Sequence, residues 1–212
     1  MRRRSPAGSI FKSDRLGLVA NIDVTVVLSL ALLVLLGFGL RVSQLSSIGF
    51  AEDEMNKVNA VASYERGDFT ANAEHPMLMK VLMLISLNAA PGASKEAALR
   101  FPNVLIGALT VIPLFLLTAA FFDRWTALLA PTFWAFGINA ITHNRIGKED
   151  SLLVFFTLFA FYFFLRAKQT SPLNDEFRKK NYIASAVSFG LMIASKYFPH
   201  YLGLNMLFHH NF

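Results

Sequence analysis

The segment Ala51-Glu52-Asp53-Glu54 carries the first obvious chemistry in the chain. Two adjacent carboxylates can act as a general base, or bind a metal or a cationic substrate; the plainer alternative is a solvated acidic turn. Further along come Glu74-His75-Pro76 with Lys80, then Arg100, His143-Asn144-Arg145, Glu149-Asp150 and Lys196-Tyr197. Cations in such positions can hold a phosphate or snorkel to lipid heads. Lys196 stands near the end of an apolar run, where an ionisable side chain is a functional signal. Each group also has an ordinary reading: a cap-region histidine, an interfacial anchor, a polar turn. His209-His210 lacks the partners that a metal site needs.

What must position these residues is a set of apolar runs. Of 212 residues, 54% are hydrophobic and only 16% charged, against about 25% charged in an ordinary soluble domain. The apolar residues are bunched, which implies a membrane protein rather than a large soluble core. Spans are expected at about 21–40, 101–122, 125–141, 151–165 and 182–198. The run 77–90 is too short to cross, at about 1.5 Å per residue against a hydrocarbon core of about 30 Å. It suits a helix lying in the interface, or a re-entrant one. The expected fold is thus all-α, a polytopic transmembrane bundle of about five spans with an outer-face loop, 41–100, carrying interfacial helices. Residues 1–20 form a basic N-terminus, 21–205 the transmembrane unit, and 206–212 the start of a further segment that is cut off.

Net charge is +6, with basic clusters at Arg2-Arg3-Arg4 and Arg178-Lys179-Lys180. Basic clusters beside spans are topology signals or anionic-lipid contacts, and no nucleic-acid recognition module accompanies them. There is no cysteine, so disulfide and thiolate chemistry are excluded. With five spans, the positive-inside rule puts both clusters in the cytoplasm. Asp53, Glu54, Glu74, His75, Arg100, His143, Arg145, Glu149, Asp150 and Lys196 then share the outer face.

In order and spacing, these residues resemble the protein O-mannosyltransferase-like membrane glycosyltransferases of the GT-C class, over roughly residues 40–205. The matching pieces are Asp53-Glu54, His75-Pro76-Met77-Leu78-Met79-Lys80, Arg100-Phe101-Pro102 with Gly107-Ala108-Leu109-Thr110-Val111, Arg145 with Asp150, and Lys196-Tyr197. The second proline of the family's His-Pro-Pro motif is Met77 here, and Ala73 stands where members often carry an acid, with Glu74 beside it. The resemblance implies an N-terminal fragment of a transferase that moves a mannose-like hexose from a polyprenyl-phosphate donor to an acceptor hydroxyl. It implies Asp53 as base with Glu54 assisting, and a donor phosphate held among Lys80, Arg100, Arg145 and Lys196, with Glu74, His75 and Asp150 shaping the site. No cofactor is certain and metal dependence is open. The partners implied are the bilayer, the lipid-linked donor and a protein, lipid or glycan acceptor. The setting is a multi-pass protein of a bacterial-type plasma membrane or the endoplasmic reticulum, with its site extracytoplasmic. The rival readings are a membrane transporter and a non-catalytic lipid-binding subunit. A transporter places its binding groups near mid-membrane, whereas here the acids cluster in a loop.

Overall fold

A computed structural model describes residues 23–197 and 206–207. All regular structure among them is helical. The basic N-terminus 1–20 lies outside the described residues, as do Phe198 and most of 206–212.

Helix α1 (Val24–Val42) is the expected first span. Asp23 caps it, accepting from the Thr25 amide at 3.1 Å. Val24, Leu28, Leu32, Leu35 and Leu36 are exposed along it, the outward apolar surface of a helix whose solvent is lipid. Next come α2 (Glu52–Tyr64) and α3 (Leu78–Ala89). Neither crosses: α3 extends about 18 Å at 1.5 Å per residue. Its Met79, Lys80 and Met83 face inward.

Helices α4 (Lys95–Leu109) and α5 (Val111–Ala119) follow one another through Thr110. Together they form one stretch, Lys95–Ala119, long and apolar enough to cross a membrane. The span starts six residues before the expected 101–122, because Ser94 caps it by accepting from the Ala97 amide.

Residues 125–141 read as one span but fold as three pieces: α6 (Arg124–Ala127), α7 (Leu129–Phe136) and α8 (Ile138–Asn144). Gly137 makes the break, with φ −64° and ψ 120°. A Cβ there would sit 2.5 Å from the Phe133 carbonyl oxygen. A break frees carbonyls that an apolar surrounding cannot satisfy. Arg41, fully buried at the end of α1, takes them: Nη1 donates to Ala135 O at 3.0 Å and Nη2 to Trp134 O at 2.9 Å. Its Nε donates to Asn144 Oδ1 at 2.9 Å, and Asn144 donates to Ser151 Oγ at 2.8 Å. One cation thus ties α1, α7, α8 and the next helix together.

That helix, α9 (Asp150–Gln169), is the third apolar helix long enough to cross a membrane. Helix α10 (Asp175–Ser195) packs along it and begins well before the expected 182. The supposed connector cations Arg178, Lys179 and Lys180 lie in its first turns. There they pair with Asp175 and Glu176 at 2.6–2.8 Å, since acids at a helix start and bases one turn on are mutually favourable. Among the described residues, three helices have the length and apolarity of a span: Val24–Val42, Lys95–Ala119 and Asp150–Gln169. A cluster of Val58, Val61, Met79, Met83, Leu99 and Leu152 presses α2 and α3 onto α4 and α9. It forms the floor of the site.

Candidate active site

The start of α2 separates the two carboxylates that sequence places side by side. Glu54 reaches back to its own cap, accepting from the Ala51 amide at 2.8 Å, which satisfies one of the donors left open at a helix start. It is 1% exposed. Arg100 holds it by two parallel bonds, Nε to Oε1 at 2.8 Å and Nη2 to Oε2 at 2.7 Å. The Gly147 amide adds a bond of 2.7 Å to Oε1. Burial pushes the Glu54 carboxyl up, but the bonds from Arg100, Gly147 and Ala51 outweigh it and hold the group below the ordinary carboxylate range. Arg100 also donates to the carbonyls of Leu45, Ile48 and Gly49 at 2.8–2.9 Å. A guanidinium has five N–H donors, and all five are spent. The sequence puts Arg100 at a phosphate; here its donors are committed to fastening α4, the 45–49 turn and α2.

Asp53 points the other way, with its side chain 69% exposed. The Lys148 ammonium bonds it and draws its carboxyl below the usual range; the same contact raises Lys148. Lys148 belongs to a run of three loop residues that each bind one polar residue of α2. The Gly147 amide bonds Glu54, Lys148 pairs with Asp53, and Glu149 pairs with the buried Lys57 at 3.2 Å. A Cβ at Gly147 would meet Met83 Cε at 2.5 Å and Glu54 Oε1 at 3.3 Å, so a larger residue would press on the carboxylate and force the methionine to move. His75 joins from the loop before α3, its Nδ1 3.4 Å from Glu149 Oε1.

The other expected residues lie around this knot. Lys80 is buried, its ammonium on the carbonyls of Asn72 at 2.5 Å and His75 at 3.0 Å. Burial lowers it from the ordinary lysine range. Glu74 is exposed and accepts from the Asn72 side chain at 2.6 Å. Arg145 Nη2 donates to the carbonyls of Ser43 and Gln44 at 2.7 and 3.2 Å. Asp150 accepts from Lys196 at 2.7 Å, half-exposed on both sides. Among the expected residues Glu54 bonds Arg100 and Asp150 bonds Lys196 directly; Asp53 and His75 join through Lys148 and Glu149, while Glu74, Lys80 and Arg145 engage neighbouring backbone or side chains. Among the described residues, no group of three or more His, Asp and Glu side chains could hold a metal ion.

Lys57 and Lys148 were not singled out by sequence reasoning, and Glu149 was placed on this face without a role. Lys57 carried a signal: it follows Asp53 and Glu54 by four and three residues, so it shares their side of a helix. Lys148 carried none, because its meaning depends on which residue of the loop is pinned by Glu54.

Helices fit to cross a bilayer, with paired charges collected at one end of the bundle, define an integral membrane protein with a surface-level ionic site. The model of the dolichyl-phosphate-mannose-protein mannosyltransferase family matches residues 74–212, and the chain belongs to that family. It is accordingly a membrane glycosyltransferase of the mannosyltransferase type. The match begins at Glu74, so Asp53 and Glu54 join the matched region through their bonds to Arg100, Gly147 and Lys148. No curated protein and no solved structure matches the chain.

Proposed function

We propose that the protein transfers a hexose from a polyprenyl-phosphate donor to an acceptor hydroxyl at the extracytoplasmic surface, with Asp53 as the base. The observation that carries this reading is the division of labour between the two carboxylates. Glu54 accepts four hydrogen bonds in a buried ion pair, so it has no free lone pair suitably placed for an incoming hydroxyl. Asp53 is open to substrate on a rigid helix start.

Attack of the acceptor oxygen on the anomeric carbon forms one C–O bond and breaks the bond to the phosphate oxygen. The phosphate leaves with the electron pair, and the hydroxyl proton passes to Asp53. Phosphate is a good leaving group, so the demand on the site is a cation rather than an acid. Lys196 and Arg145 stay candidates for that task, whereas Arg100 and Glu54 act by positioning. Asp150 lines a groove of about 850 Å³ together with Leu114, Phe133, Trp134 and Val154. An apolar wall beside a polar end suits a lipid-linked substrate.

The test uses the full chain reconstituted in lipid with a polyprenyl-phosphate-linked mannose. Asp53→Asn should lower transfer by about 100-fold or more, in the range of a general base, with the fold intact by circular dichroism. Transfer unchanged in that variant would remove Asp53 from the mechanism.

A further inference from the structure

The cations gathered at the site differ in what they have left to offer. Arg100 has spent every donor. Lys57 is buried between the Glu149 carboxylate and the Asp53 carbonyl, at 3.2 and 3.4 Å. Lys80 is buried on two loop carbonyls. Lys196 is held by Asp150. Lys148 is unlike these: its side chain is 30% exposed, and its side-chain bond goes to the exposed Asp53 carboxylate. Its backbone, by contrast, is fixed. The preceding amide is bonded to Glu54, its own amide donates to Ile146 O at 2.8 Å, and the following side chain is clamped to Lys57. A partly exposed ammonium thus rises from a fixed stretch of backbone and is held by a partner that solvent can reach. Exposed pairs of this kind are weak and easily exchanged. The donor's phosphodiester offers the ammonium another singly charged oxygen partner, and one whose charge grows as the sugar departs.

We propose that Lys148 binds the phosphate of the lipid-linked donor by giving up Asp53, so that donor binding releases the base. This rests on the transferase reading given above. With no donor, Lys148 occupies the Asp53 carboxylate and discourages it from accepting a proton. When the donor phosphate arrives, the ammonium moves to it, and the freed carboxylate faces the acceptor hydroxyl. The proton that Asp53 gains during attack removes its charge just as the departing phosphate gains one, and Lys148 is then beside that new charge. Binding order follows: donor first, acceptor second.

The experiment measures binding of polyprenyl phosphate to the full chain in nanodiscs of neutral lipid, with inorganic phosphate as a separate ligand. Lys148→Met should weaken binding of polyprenyl phosphate roughly tenfold or more, as expected for loss of a charge-assisted bond, and Lys148→Arg should restore most of it. Asp53→Asn should bind polyprenyl phosphate at least as tightly as wild type, because the competitor for Lys148 is gone, although its sugar transfer is strongly lowered. A purely structural Lys148–Asp53 clip would make both Asp53→Asn and Lys148→Met bind more weakly, and that result overturns the proposal. So does binding by Lys148→Met equal to wild type. Should Lys148→Met fail to fold, the Arg and Asn variants decide: loss of binding in Lys148→Arg alone supports no exchange and also overturns it. Inorganic phosphate competing at millimolar concentration identifies a site for the anion itself; no competition, with Lys148-dependent binding of the lipid, identifies one that needs the chain as well. Both support a phosphate ligand at Lys148. If Lys148-dependent binding is found and no transfer is ever detected, the transferase reading fails while the phosphate site stands.

Discussion

Replacing the Glu54 carboxylate by an amide leaves the Arg100 guanidinium buried with only neutral acceptors. Removing one partner of a buried ion pair costs about 3–5 kcal/mol, so Glu54→Gln should lower stability at neutral pH by about that much in a thermal or denaturant melt. The variant should also respond differently to acid. In the folded protein Glu54 titrates below its ordinary value of 4.5, so its ionised form stabilises the fold above the unfolded value. That contribution is lost as pH falls through the folded value. As pH falls below the ordinary value of 4.5 and through the lower folded one, the wild type should lose stability that Glu54→Gln has already lost, making the variant's pH profile flatter there. The Asp-Glu pair was legible in the sequence as a chemical feature; the assignment of one carboxylate to structure and the other to solvent was not. That division depends on helix phase, with Ala51 as the cap and Glu54 at the third helical position, and on Arg100 arriving from residues far along the chain.

At the scale of elements, small residues set how closely helices meet. Gly107 of α4 faces Asn144, and a Cβ there would lie 2.3–2.6 Å from three atoms of that side chain. Asn144 has nowhere to go, since Arg41 and Ser151 hold both ends of its amide. Gly107→Ala should therefore cost about 1–3 kcal/mol, the range for overpacking a fixed contact, visible as a lower melting temperature. The interfacial helix at 78–89 and the first span could be read from apolar run length alone. The stretch 125–141 could not, because its composition is that of a span while its continuity depends on one glycine. Hydropathy counts the residues of such a run, but Arg41, which makes the break at Gly137 tolerable, sits on another helix. The start of α10 was missed for the opposite reason: Arg178, Lys179 and Lys180 look like a polar connector until Asp175 and Glu176 are seen one turn before them.

For the whole molecule, the two ends of the bundle carry different ion pairs. Asp23 lies 3.4 Å from Arg124 at one end, while the pairs of Asp53, Glu54, Glu149 and Asp150 gather around the starts of α2, α4 and α9. On the proposed extracytoplasmic placement of the site, Glu52 should be reachable from outside the cell and the 170–174 turn only from within. The absence of cysteine makes this directly testable. A Glu52→Cys variant should react with a membrane-impermeant maleimide on intact cells, and Ser171→Cys only after permeabilisation. The reverse pattern would turn the molecule over and move the proposed chemistry to the cytoplasmic side.

Arg41 bears on how such a chain can be made. It emerges at the end of α1 long before Trp134 and Ala135 exist, and until then the Gly37 carbonyl of its own helix is the only one of its final partners already synthesised. Near a helix end its side chain can snorkel to the interface in the meantime. The end of the first helix is therefore fastened to the bundle only when α7 arrives with its broken end, an attachment that waits on a glycine nearly a hundred residues further along the nascent chain.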